Sequence, residues 1–276
     1  MSKILKPEDY EEPVCPFCTD AYKTEKPRES VPVDRIISKL DSYFAKNDTE
    51  GAARHLAYWL SECDRVCDMR GKLSLLDEQM GLMRKMGNNE AATAAAKEAL
   101  ALIPRLKQEN TRCHGTVLLN AATVHKAFGR NSEAIALYNE AQRILEAIGA
   151  EEALLAGLYN NKAIAHISLK EYGAAEELFN KALDIMLRTP GGECDAAITY
   201  LNTADLIVAQ KGAEAGEKEI EACLDKAEEL LEKINERTDG YYAFVCEKCA
   251  PVFMHYGRFL YSKELSARAE KLYERS

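Results

Sequence analysis

The central part of the chain repeats one pattern at a spacing of 41 residues. The segment from Leu118 to Leu183 contains LLNAATVHKAFGRNSEAIALYNEAQRIL and then LYNNKAIAHISLKEYGAAEELFNKAL. Five pairs of identical or similar residues share this offset: Asn120 and Asn161, Ala122 and Ala163, Ala134 and Ala175, Tyr138 and Phe179, and Ala141 and Ala182. A fixed period of this size predicts a stack of similar units rather than one central core.

Each unit reads as a pair of helices. Small and apolar residues recur at intervals of four and three, as in Ala134, Tyr138 and Ala141, so they share one face of a helix. Gly129 is suited to the left-handed end of the preceding helix, and Lys170 to Gly173 is the corresponding turn in the second copy. One pair of helices cannot bury its apolar face alone, so neighbouring pairs must stack.

The positions of Ala122, Gly129, Ala134, Tyr138 and Ala141 resemble the tetratricopeptide repeat (TPR) family. The unit of 41 residues is longer than the family's usual length of about 34, and is similar to the longer repeats of kinesin light chains. The resemblance implies an all-α fold: an α-solenoid of stacked antiparallel helix hairpins in a TPR-like right-handed superhelix.

The same pattern, in weaker form, extends along most of the chain. We expect a repeat domain over residues 31–276 with about six hairpins, and an irregular N-terminal leader over residues 1–30 that contains four prolines. In the fifth hairpin an insertion predicts a longer turn, from Gln210 to Gly216. The polar outer face of the last helix is typical of a capping unit.

Composition restricts the classes of partner. The chain carries 45 acidic and 36 basic residues, a net charge of −9, and no basic run, which argues against nucleic acid as a partner. The sequence contains no stretch of about 18 consecutive apolar residues, so we expect no membrane-spanning helix. The first residues are acidic and lack the apolar segment of a secretory signal, so we expect a cytoplasmic protein with reduced thiols.

One row of polar residues is the candidate binding site. The resemblance implies that the first helix of each hairpin, helix A, lines the concave side. Asn120, Asn161 and Asn202 then lie at equivalent points of three successive A helices; we call them the asparagine row. Amide side chains both donate and accept hydrogen bonds, so such a row can hold an extended peptide. The flanking residues expected to contact the peptide are Thr123, Lys126, Asn160, Ile164 and Asp205.

A second interpretation of the asparagine row is structural. Each amide could brace the next helix through a buried hydrogen bond, and recurrence fits this equally well because the interfaces between hairpins are alike.

Two cysteine pairs, Cys15 with Cys18 and Cys246 with Cys249, have the spacing of zinc ligands. They are far apart in the sequence and the second pair falls on a predicted helix, so we expect no metal.

The sequence therefore predicts a non-enzymatic protein–protein interaction module, an adaptor that holds a peptide or helix of a partner protein in a concave groove. No phosphate-binding loop, nucleophile elbow or metal-binding histidine pair is present, and no cofactor is expected. The alternative is a regulatory sensor whose superhelix closes on a small peptide or metabolite. Self-association through the apolar C-terminal hairpin is a further expectation.

Overall fold

A computed structural model describes residues 30–46 and 48–274. This part of the chain contains only α-helices and no strand, as the sequence predicted. The helices are α1 (Val33–Phe44), α2 (Thr49–Val66), α3 (Met69–Lys85), α4 (Asn89–Arg105), α5 (Arg112–Ala127), α6 (Asn131–Ala147), α7 (Glu152–Ser168), α8 (Tyr172–Arg188), α9 (Glu193–Lys211), α10 (Ala213–Lys233), α11 (Gly240–His255) and α12 (Phe259–Tyr273).

The twelve helices form six consecutive hairpins that stack into a solenoid. Helices α1, α3, α5, α7, α9 and α11 are the A helices, and each contacts the next A helix along the stack. The B helices, which carry the even numbers, make no comparable contacts with one another in the described part of the chain. The A layer is therefore the more closely spaced side of the stack, which makes it the concave side.

Small residues set the spacing of the layers, and in the two central hairpins an aromatic ring packs beside them. In α6, Ala134, Tyr138 and Ala141 are fully buried, and in α8 Ala175 and Ala182 are as well. Alanine allows two helix backbones to approach closely, and the aromatic ring fills the space beside them. Burying such a ring contributes about 1.5–3 kcal/mol relative to leaving it in water.

Two predicted turns differ from the structure. In the repeat that starts at α7, the left-handed residue is Lys170, with φ of 63°, and Gly173 lies inside α8. Lys170 occupies the position that Gly129, with φ of 76°, has one repeat earlier. The long turn predicted from Gln210 to Gly216 is wrong, because α9 and α10 are joined by Gly212 alone. The inserted residues lengthen these two helices, which extends the packed surface instead of exposing a loop.

The predicted leader falls almost entirely outside the described residues, as do Cys15 and Cys18. The division into a leader and a repeat domain therefore stays a prediction. Among the described helices, none is long and apolar enough to cross a membrane.

Close packing between α5 and α6 makes a first prediction. A β-carbon on Gly115 would lie 2.6 Å from both Cγ and Cδ2 of Leu145, a side chain with no exposed surface. We expect Gly115→Ala to lower the free energy of unfolding by about 1–3 kcal/mol, because the added methyl overpacks this contact. The measurement is chemical denaturation of the purified chain.

The matched control is Gly157→Ala in α7, where a β-carbon would meet no atom within 4 Å. Alanine is the better helix former by about 1 kcal/mol, so this variant should be as stable as the parent or more stable. Equal effects of the two substitutions would contradict the packing described for α5 and α6.

Candidate functional site

The asparagine row lies on the A layer. Asn120 is on α5, Asn161 on α7 and Asn202 on α9, and all three side chains are half-buried. The spacing of 41 residues therefore places three amides at corresponding points on neighbouring A helices of the concave side.

Two of these amides connect adjacent A helices. Nδ2 of Asn120 donates to both carboxylate oxygens of Asp77 in α3, each at 2.8 Å. Nδ2 of Asn202 donates to Oδ1 of Asn160 in α7 at 3.0 Å, and the Thr199 hydroxyl donates to the same oxygen at 3.2 Å. These are the hydrogen bonds that the bracing interpretation requires.

The third amide supports a buried cation. Nζ of Lys126 in α5 donates to Oδ1 of Asn161 at 2.7 Å, and Nδ2 of Asn161 donates to the Gly157 carbonyl at 3.0 Å. Burial, together with the nearby guanidinium of Arg84, lowers the pKa of Lys126 to about 8. The concave side thus carries a lysine whose only described hydrogen bond is to a neutral acceptor.

The remaining predicted residues also lie on the A layer. The Thr123 hydroxyl donates to the Leu119 carbonyl at 2.9 Å and lies 3.0 Å from the Tyr138 hydroxyl. Ile164 is half-buried against the core, and Asp205 is exposed and accepts a hydrogen bond from the Tyr256 hydroxyl at 2.6 Å. Every polar member of the predicted site is therefore also part of the solenoid's own hydrogen-bonding.

One end of the concave side carries exposed aromatic rings that the sequence reasoning missed. Tyr241 and Phe244 of α11 are 42% and 40% exposed, and their rings stack with centroids 6.4 Å apart. The Tyr241 hydroxyl donates to Asp195 of α9, and Lys248 lies over the Phe244 ring at 5.5 Å. The left-handed glycines that follow α9 and α11, Gly212 and Gly257, are 45 residues apart rather than 41, so α11 is out of register with the repeat comparison.

The opposite end contains a cavity that the sequence reasoning also missed. Its volume is about 540 Å³ and it opens between α1, α3 and α5. Asp77 and Glu78, adjacent acids in α3, contribute carboxylates to the wall. Two acidic neighbours on a helix give little signal by themselves, and only the packing of three A helices turns them toward a common space.

The second cysteine pair lies on α11. Cys246 and Cys249 are buried, and burial raises the pKa of both thiols, which keeps them protonated and unreactive. Within residues 30–46 and 48–274, no group of three or more histidine, cysteine, aspartate or glutamate side chains is arranged to hold a metal ion.

Comparison with known proteins relates the chain to other helical solenoids. Searches of protein-family descriptions and of curated proteins found no match. Among solved structures, BtubC (BKLC) from P. vanneervenii is 22% identical, with 88% of this chain and 91% of that chain covered and a TM-score of 0.51. The apo form of RapI is 15% identical, with 89% and 100% covered and a TM-score of 0.51.

A putative kinesin light chain with nearly identical TPR-like repeats from Podosopora anserina is 13% identical over 73% of this chain and 94% of its own, with a TM-score of 0.47. At these identities the likeness concerns the fold. The protein is a TPR-like α-solenoid. Its 41-residue unit is the longer kind of repeat that the sequence indicated.

The hydrogen bond of Asn202 makes a second prediction. Asn202→Ala removes the donor that links α9 to Asn160 of α7, so we expect the free energy of unfolding to fall by about 0.5–1.5 kcal/mol. The control is Asn180→Ala on the exposed face of α8, which should change stability by less than about 0.5 kcal/mol. Urea denaturation of both variants measures the difference, and equal effects would argue against bracing by Asn202.

The lowered pKa of Lys126 makes a third prediction. An unfolded lysine has a pKa of about 10.4, so between pH 8 and that value the unfolded chain binds a proton that the folded chain lacks. The unfavourable contribution of the buried ammonium is complete below pH 8 and is relieved as the pH rises.

Relative to a Lys126→Met variant, the parent protein should therefore gain about 1–3 kcal/mol of stability between pH 7 and 10. Denaturation of both proteins across this range measures the change, and comparing them cancels the titration of other groups. The free energy of unfolding of the parent minus that of the variant should rise with pH. If it stays constant or falls, the burial of this ammonium is contradicted.

Proposed function

We propose that the protein is a non-enzymatic adaptor that binds a peptide or helix of a partner protein in the concave groove of its A layer. The observation that supports this is a continuous series of half-buried polar side chains across successive A helices, with the exposed rings of Tyr241 and Phe244 at one end. Such a surface offers hydrogen bonds along its length and an apolar contact at its end.

Bracing does not use the whole hydrogen-bonding capacity of the asparagine row. An amide side chain has two donor hydrogens and an oxygen that accepts two hydrogen bonds. Asn120 and Asn202 each use the nitrogen for bracing, and no described residue donates to their oxygens. These two oxygens are available to backbone N–H groups of an extended peptide. Bracing would then hold the amides in the orientation that binding needs, which reduces the entropy lost on association.

The remaining members of the proposed site supply contacts of different kinds. Ile164 offers apolar surface beside Asn161, and Asp205 offers an exposed carboxylate beside Asn202. Thr123 lies one helical turn after Asn120, Lys126 donates a hydrogen bond to Asn161, and Asn160 accepts one from Asn202. A peptide that crosses the A helices would meet these groups in sequence, so side chains of the peptide could be distinguished at several points.

The test begins with selection of peptides from a random display library on the purified chain, followed by measurement of Kd by fluorescence anisotropy. Ile164→Asp places a charge in the groove, and we expect it to weaken the selected peptides by about tenfold or more. The matched control is Leu187→Asp on α8, since Leu187 is 53% exposed on a B helix. It should leave Kd within about twofold.

Melting temperatures are recorded for both variants, because Ile164 also packs against the core. Failure to enrich any peptide would contradict the proposal. So would a folded Ile164→Asp variant that binds the selected peptides as tightly as the parent chain does.

Three further expectations accompany the proposal. The net charge of −9 favours a protein or peptide partner over nucleic acid. Cytoplasmic localisation is predicted from the sequence. Self-association through the last hairpin would use Phe259 and Leu260, which are 57% and 86% exposed at the start of α12.

A further inference from the structure

The cavity between α1, α3 and α5 combines apolar walls with an acidic side. Its volume of about 540 Å³ is within the range of sites that hold small ligands. Ile37, Leu73 and Val117 contribute apolar surface, one from each of the three A helices. Asp77 and Glu78 contribute carboxylates from α3. Its lining comes mainly from A helices, and Asp77 in its wall also accepts hydrogen bonds from Asn120, so the cavity adjoins the proposed groove.

The two carboxylates differ in how they are held. Asp77 receives the two hydrogen bonds from Asn120, which fix its orientation. Glu78 is half-buried and takes part in no hydrogen bond or ion pair with the described residues. Burial raises the pKa of Glu78, and the charges of Asp77 and of Asp41 on α1 raise it further. Burial also raises the pKa of Asp77.

The basic residues that line the cavity do not neutralise this side. Arg112 pairs with Glu151 at 2.9 Å, and Arg70 forms no ion pair with either carboxylate. Arg70 lies two turns before Asp77 in α3, or about 10 Å along the helix axis. The wall also contains Thr116, whose hydroxyl oxygen is buried with no hydrogen-bond partner among the described residues. The cavity is thus left with negative charge and one unsatisfied polar atom.

We propose that this cavity receives a basic side chain, lysine or arginine, from the partner peptide. The methylene stem matches the walls formed by Ile37, Leu73 and Val117, and the cationic head reaches Glu78 and Asp77. An organic cation fits better than a metal ion, since the described side chains form no three-ligand cluster. This inference rests on the proposed function, because it specifies what one end of the groove recognises.

The experiment uses small probes, so it does not depend on knowing the partner. N-acetyl-arginine amide and N-acetyl-lysine amide are compared with neutral N-acetyl-norleucine amide by saturation-transfer NMR on the full chain, at about 10 mM. We expect the two cationic probes to bind and the neutral probe to bind at least about fivefold more weakly.

Glu78→Gln removes the charge and keeps the shape of the side chain. It should weaken both cationic probes at least about fivefold. Glu176→Gln, on the exposed face of α8, should leave them unchanged. The inference is overturned if no probe binds, if the neutral probe binds equally well, or if a Glu78→Gln variant with the parent's melting temperature retains full binding.

The two proposals can fail separately. If cations bind through Glu78 but the selected peptides bind the Ile164→Asp variant as tightly as the parent chain, the cation site is supported and the peptide groove is wrong. If selected peptides bind in the groove but carry no enriched basic residue, and the cationic probes do not bind, the groove stands and the cation site is wrong.

Discussion

The close approach of neighbouring helices at alanine contacts is the constraint on which the rest of the structure depends. Ala134 and Ala141 in α6 are fully buried, and the ring of Tyr138 between them has no exposed surface. Ala175, Phe179 and Ala182 repeat this contact at the corresponding positions of α8. The A helices then come close enough for their side chains to bond across the layer, and a continuous polar surface results.

In the proposed function, that polar surface both braces the A helices and binds the partner. The amide nitrogens of Asn120 and Asn202 connect adjacent A helices, so the concave side is held by the groups that the sequence assigns to binding. One amide side chain can serve both roles because it has more hydrogen-bonding sites than bracing requires. The arrangement also orients Asp77, and so connects the asparagine row to the acidic cavity at the end of the groove.

The fold was predictable because its signal recurs. The alanine positions and the left-handed Gly129 follow from spacing alone, whereas Lys170 in the equivalent position breaks the glycine pattern through a locally strained backbone. The site was predictable only in part. The sequence placed Asn120 on the A layer, but its acceptor Asp77 lies 43 residues earlier, outside the repeat interval. Tyr241 was not predicted for a similar reason, because the longer fifth hairpin shifts α11 out of the 41-residue register.

The central claim is that the A layer forms the binding surface of the solenoid. Amide hydrogen exchange of the chain, with and without a selected peptide, tests it directly because exchange reports protection helix by helix. The account predicts added protection in α5, α7 and α9, with α6, α8 and α10 unchanged. Protection confined to the B helices, with the A helices unaffected, would contradict it.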